Sequence, residues 1–273
     1  MLAEEIARIR DAHREPGFGT MSVEDLVDIE KLVATHRPRS FLEIGTATGL
    51  SAAVIAHMLE EHGGERLMTV DLLDHFYGDP SREAGFVIPL AYPDGPVRVD
   101  RRTGWTAADV VASGETFEMA LVDGGHLHPW PLLDTLCVNV VLTGPRLVLQ
   151  DDLTLFRRKP DGRGVGPKHL FDQFPESHRE RFPAGGGNLF VLSLDMPAEQ
   201  LEEIALDCLA LPWTLRQAIP DETVAQVQAV LDQHYSERLS REFAGLCSRF
   251  NQPNARFFRA SRRLAARRGV DAT

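Results

Sequence analysis

The chain is poor in cysteine. Cys137, Cys208 and Cys247 are the only three in 273 residues; they are widely spaced and form no C-x-x-C pair. That excludes a disulfide framework and a cysteine zinc site. No stretch approaches the ~20 apolar residues that span a bilayer, so a membrane-embedded protein is not expected. The first 17 residues, MLAEEIARIRDAHREPG, carry charges throughout and lack the apolar centre of a secretory leader. Positive charge is also short: 29 Lys and Arg face 40 Asp and Glu, a formal charge of −11. Duplex nucleic acid would repel that on average. Internal repeats and low-complexity segments are absent. The expectation is a cytoplasmic protein with no nucleic-acid and no membrane partner.

What is present is organised around residues 41–51, FLEIGTATGLS. Phe41, Leu42 and Ile44 suit a buried strand. Gly45 to Gly49 form a small-residue turn, and Ser51 to Glu61 has helical spacing. A strand, a glycine turn and a helix in that order aim backbone N–H groups and a positive helix end at one point, which suits a polar or anionic ligand. The spacing is not the G-x-G-x-x-G of dinucleotide binders. A second apolar stretch, RLMTVD, ends on Asp71, twenty-two residues after Gly49. An acid at that distance, at the next strand end, is placed to grip a ribose diol. An ordinary capped turn would explain the glycines but not the acid.

Glu43-x-Gly45-x-x-x-Gly49 resembles the first motif of class I S-adenosylmethionine (AdoMet) methyltransferases. The resemblance implies a cofactor site made by Glu43, Gly45, Thr46, Gly49, Ser51 and Asp71, with Asp123 nearby and Trp105 beside the adenine. A core position accounts for Trp105 equally well. The rest of the pattern agrees with an α/β fold. Apolar runs at 96–100, 117–123 and 145–150 alternate with helical segments at 106–111 and 130–141, which implies a parallel sheet with right-handed crossovers. Two further strands, at 178–183 and 188–194, would close it as an antiparallel hairpin. The expected fold is a Rossmann-like, seven-stranded, mostly parallel sheet with helices on both faces, plus a C-terminal helical extension. N-terminal helices occupy 1–38, the AdoMet-binding domain 39–195 and the extension 196–273. Within the extension, 197–213, 220–239 and 254–268 read as helices, the last strongly basic. The 72–94 link carries four aromatics and three prolines and is not one regular helix.

A second informative pair of stretches is LVDGGHLHPWPLLD and RLVLQDD. Asp123 ends the fourth strand and Asp151 the fifth, with Asp152 next. Neighbouring strand ends lie about 4.8 Å apart, so three carboxylates converge and need a cation to offset their repulsion. Oxygen donors favour Mg²⁺ or Mn²⁺. Val122-Asp123-Gly124-Gly125-His126 and Gln150-Asp151-Asp152 resemble the metal-dependent O-methyltransferases, both catechol-type enzymes and bacterial sugar and macrolide tailoring enzymes. That implies methyl transfer to a hydroxyl of a small molecule, Asp123, Asp151 and Asp152 as metal ligands, and His126 as general base, with His128 its rival. The alternatives are a metal-independent N- or carboxyl-methyltransferase, a redox role in antibiotic tailoring, or a non-catalytic AdoMet-binding subunit. Arg157, Arg158, Lys159 and Arg163 hint at an anionic group on the acceptor. Apolar stripes on the terminal helices suggest a homodimer.

Overall fold

The computed structural model describes residues 1–18, 20–154, 166–183 and 186–254. The basic loop at 157–163 and the basic helix expected at 254–268 lie, apart from Asn254, outside the described residues. Two helices come first, α1 (Ala3–His13) and α2 (Val23–His36). Ser22 caps α2 by accepting the Asp25 N–H, as its residue type favours.

The sheet then forms from β1 (Ser40–Ile44), β2 (Arg66–Asp71), β5 (Arg98–Thr103), β6 (Met119–Val122), β7 (Leu147–Gln150), β8 (Arg179–Arg181) and β9 (Phe190–Ser193). Its order is β5-β2-β1-β6-β7-β9-β8. All pairings are parallel except those of β9, which runs antiparallel to both β7 and β8. This is the seven-stranded Rossmann-like sheet the sequence implied. The strand expected at 96–100 begins later, at Arg98, and runs on to Thr103, the register partner of Asp71.

Helices α3 (Leu50–His62), α5 (Ala107–Ser113), α6 (Trp130–Val141) and α7 (Gly166–Gln173) alternate with the strands. Two apolar cores result, one on each sheet face, because successive strand residues point to opposite sides. Phe41, Leu67, Leu121 and Leu149 pack under α1, α2 and α3. Leu42, Met68, Val122 and Val148 pack under α5 and α6. The C-terminal helices α8 (Ala198–Leu209), α9 (Asp221–His234) and α10 (Glu237–Phe250) join the second core through Leu209, Leu231, Leu239 and Phe243. Tyr235 fastens them by donating its hydroxyl to the Leu136 carbonyl at 2.7 Å.

The single helix expected at 220–239 is two. Tyr235 leaves helical geometry at φ −128°, ψ 178°, and the Ser236 side chain then caps α10 on the Leu239 N–H. The 72–94 link holds a small hairpin, β3 (His75–Phe76) with β4 (Asp79–Glu83), and a single turn α4 (Ile88–Ala91). No helix among the described residues is long and apolar enough to cross a membrane.

Candidate active site

The C-terminal ends of β1, β2, β6 and β7 meet at one edge, where open α/β sheets bind ligands. β1 runs straight into the glycine turn. Gly45 has φ 103°, and a Cβ there would collide with the backbone of Asp123 and Gly124. The turn after β1 and the turn after β6 are therefore back to back, with no room for a side chain between them. Gly49 has φ 81° and precedes α3; a Cβ on it would meet Ile88 and the Gly85 backbone.

Asp71 organises this turn. Its Oδ2 accepts the backbone N–H of Thr46 at 3.1 Å and of Ala47 at 2.9 Å, while Oδ1 accepts Leu73 N–H at 2.9 Å. Beneath it runs a hydroxyl chain: Thr46 Oγ1 and Thr69 Oγ1 are 2.7 Å apart, and Thr69 donates to Glu43 Oε2 at 2.5 Å. Glu43 is fully buried, and its Oε1 has no partner of normal geometry among the described residues. Burial pushes its pKa up to about 7, against the opposing pull of the Ser51 and Thr69 hydroxyls. The Trp105 backbone N–H donates to the Asp71 carbonyl at 3.0 Å, and Arg102 lies 5.4 Å above the Trp105 ring. The structure thus brings together every residue expected to hold the cofactor.

The acidic half lies across the turn. His126 Nε2 is 3.0 Å from Asp152 Oδ2 and 4.0 Å from Asp123 Oδ1. One ligand atom from each of Asp123, His126 and Asp152 fits within 4.8 Å of the others. Asp151, expected as a metal ligand, is not in that group. Strand alternation puts it on the face of Leu149, where the charge of buried Asp25 acts on it. Asp152 instead turns back toward the turn after β6, in the left-handed region at φ 65°, which Asp tolerates better than most residues. Asn188, which sequence reasoning missed, ties the pair: its Nδ2 donates to Asp151 Oδ1 and Asp152 Oδ1, both at 2.9 Å. No motif marks it; it stands just ahead of β9.

Electrostatics fit a cation. Burial, then the charges of Asp151 and Asp152, hold the Asp123 carboxyl well above the usual range. Burial and Asp152 raise Asp151 to about 7. Burial lowers His126, with Asp152 pulling the other way. Acids that ionise reluctantly beside one another would be stabilised by a divalent ion, and two carboxylates with one imidazole are a chemically suitable donor set.

His128 is elsewhere. It is fully buried, its ring is 5.2 Å from that of His169, and neither ring nitrogen has a partner of normal geometry among the described residues. Burial, with His169 adding, holds its pKa down to about 3, so it stays neutral as part of the second core.

Residues 42–153 match the family model described as a methyltransferase domain, a span that runs from β1 through the Asp151-Asp152 turn. The chain carries a methyltransferase domain. No curated protein matches the chain. Solved structures similar to this chain include an O-methyltransferase from Bacillus cereus in complex with SAH, 17% identical, covering 70% of this chain and 90% of that one with a TM-score of 0.47. The O-methyltransferase TomG from Streptomyces achromogenes, involved in tomaymycin synthesis and in complex with SAM, is 16% identical over 70% of this chain and 88% of that one, with a TM-score of 0.48. MycE methyltransferase from the mycinamycin biosynthetic pathway, in complex with Mg and SAH, is 14% identical over 69% and 54%, with a TM-score of 0.45.

Proposed function

We propose that this methyltransferase uses AdoMet to methylate a hydroxyl of a small molecule with the help of a divalent metal, Mg²⁺ or Mn²⁺. The observation that carries the reading is the meeting of two half-sites at one sheet edge: the Asp71-held glycine turn, backed directly onto the turn that presents Asp123 and His126. The glycine turn and Asp71 receive the methionine and ribose ends of the cofactor. Asp123 and Asp152 hold the metal, and Asp151 supports Asp152 through Asn188. When bound, the ion supplies a lowered pKa for a hydroxyl beside it.

The protein's own part is alignment and proton removal. His126, kept neutral by burial, can take the acceptor's proton at Nε2, and Asp152 stabilises the resulting imidazolium across 3.0 Å. The sulfonium methyl needs no further activation, so positioning supplies the rest. A second reading has support in the same distances: with its Nε2 grouped with Asp123 and Asp152, His126 is itself a ligand. Mn²⁺ binding to His126→Ala separates the two. Retained affinity with lost turnover marks a base; lost affinity marks a ligand. Methyl transfer from AdoMet that persists undiminished in EDTA would overturn the metal and favour a metal-independent enzyme. The reading includes a cytoplasmic setting and a homodimer, the latter checked by light scattering at micromolar concentration.

A further inference from the structure

A second group of metal-binding side chains lies at the far end of α3. Ile29 and Val33 of α2 share one core with Ile55 and Leu59 of α3. The seam between these helices carries Glu30 beside Glu61 and His62, the last two residues of α3. His62 Nε2 is 2.8 Å from Glu30 Oε1. One donor atom from each of the three residues falls within 4.8 Å of the others. This group is separate from the acids at the strand ends. Gly49 opens α3 beside those acids, and the 13 residues of the helix carry the chain about 20 Å away from them.

Two further observations point to a cation. The Glu30 side chain is only 9% exposed, yet its Oε2 has no partner of normal geometry among the described residues. That oxygen shares its carbon with Oε1, which faces His62, so the unmet acceptor belongs to the same cluster. A buried carboxylate oxygen left unpaired is costly, and a bound ion would satisfy it. The second observation is that a positive group already occupies the spot: the Met1 ammonium pairs with both Glu30 and Glu61. The carbonyl end of α3 adds its own preference for positive charge.

We propose that Glu30, Glu61 and His62 form a structural Zn²⁺ site that fastens α2 to the end of α3. An imidazole joined to carboxylates suits zinc better than Mg²⁺, which takes oxygen donors. Two carboxylates balance the charge of the ion. Zinc bonds of about 2.0–2.2 Å in a tetrahedron set donor atoms about 3.4 Å apart. Glu30 and His62 are near that spacing already, and Glu61, half-exposed, closes on the ion as the ammonium is displaced. His62 binds through Nε2 with its proton on Nδ1, and water takes the fourth position. The proposal is independent of the methyl-transfer reading.

The test titrates Zn²⁺ into the chelator-stripped full chain carrying Asp152→Asn, which weakens the strand-end acids as competing ligands. The same titration is run with Glu61→Gln or His62→Gln added, and calorimetry is read beside the thermal midpoint. The Asp152→Asn parent should bind Zn²⁺ and gain in midpoint, as a ligand of the folded state requires. Either added substitution should remove one bound ion, or weaken it by about tenfold or more, and reduce the midpoint gain. Mg²⁺ should not distinguish the three chains. Circular dichroism matching the parent shows that a variant is folded, and half-exposed Glu61 supplies the test if His62→Gln does not fold. No Zn²⁺ binding by the parent would overturn the proposal, as would the same stoichiometry, affinity and midpoint gain in Glu61→Gln as in the parent.

Discussion

Asp71 holds Ala47 in a conformation that alanine resists. The carboxylate accepts the Ala47 N–H at 2.9 Å, and the residue sits at φ 45°. Left-handed backbone at a residue with a Cβ costs of order 1–2 kcal/mol and persists when surroundings over-determine it. Here the same oxygen holds Thr46 as well, and Gly85 donates to the Ala47 carbonyl. Asp71 is therefore structural to the glycine turn whatever else it grips.

Replacing it should undo the cofactor site. Asp71→Ala is expected to lower AdoMet affinity by about tenfold or more in calorimetry, since two N–H groups and the strained turn lose their acceptor. Affinity equal to wild type would remove Asp71 from the site.

Gly45→Ala should be worse for the fold itself. Its Cβ would enter the Asp123 backbone at a φ of 103°. Relief would require separating the turns after β1 and β6. A fall in thermal midpoint together with loss of AdoMet binding is expected; a midpoint unchanged from wild type would mean that the two turns are not in contact.

The metal half should fail separately. Asp152→Asn is expected to weaken Mn²⁺ by about tenfold or more, seen by electron paramagnetic resonance, and to leave AdoMet binding nearly intact. His126→Ala should lower turnover by about 10²-fold or more if Nε2 takes the proton. Mn²⁺ binding by Asp152→Asn at wild-type strength would discard the proposed ligand set.

A buried acid on α6 gives a pH prediction. Asp134 is buried, and burial raises its pKa to about 7. Below about pH 4 it is protonated both folded and unfolded and changes nothing. As pH rises from about 4 to 7 the unfolded chain ionises first, so stability is lost across that window and stays lost above it. Asp134→Asn should therefore gain on wild type between about pH 4 and pH 8, by a few kcal/mol, because each tenfold weakening of an acid on folding is worth about 1.4 kcal/mol. The cost of burying the amide is the same at both pH values and cancels. A pH-independent difference in denaturant midpoints would refute the assignment.

The sequence by itself determined the seven strands of the sheet, the helices that alternate with them and the residues that stand at the strand ends. Alternating apolar runs and helical spacings are local patterns, as are Glu43-x-Gly45-x-x-x-Gly49, the distance to Asp71, and acids placed at strand ends. Tertiary structure decided what those residues touch. Asp151 and Asp152 are adjacent in the chain, yet a left-handed turn at Asp152 sends one carboxylate toward His126 and leaves the other on the α2 side. His126 and His128 are two apart, yet one borders the site and the other fills a core beside Thr214, whose hydroxyl accepts the His128 backbone N–H at 2.9 Å. Asn188 carries no local signal at all. Its position depends on where β9 packs, and packing is set by contacts between residues far apart in the chain, which no short pattern encodes.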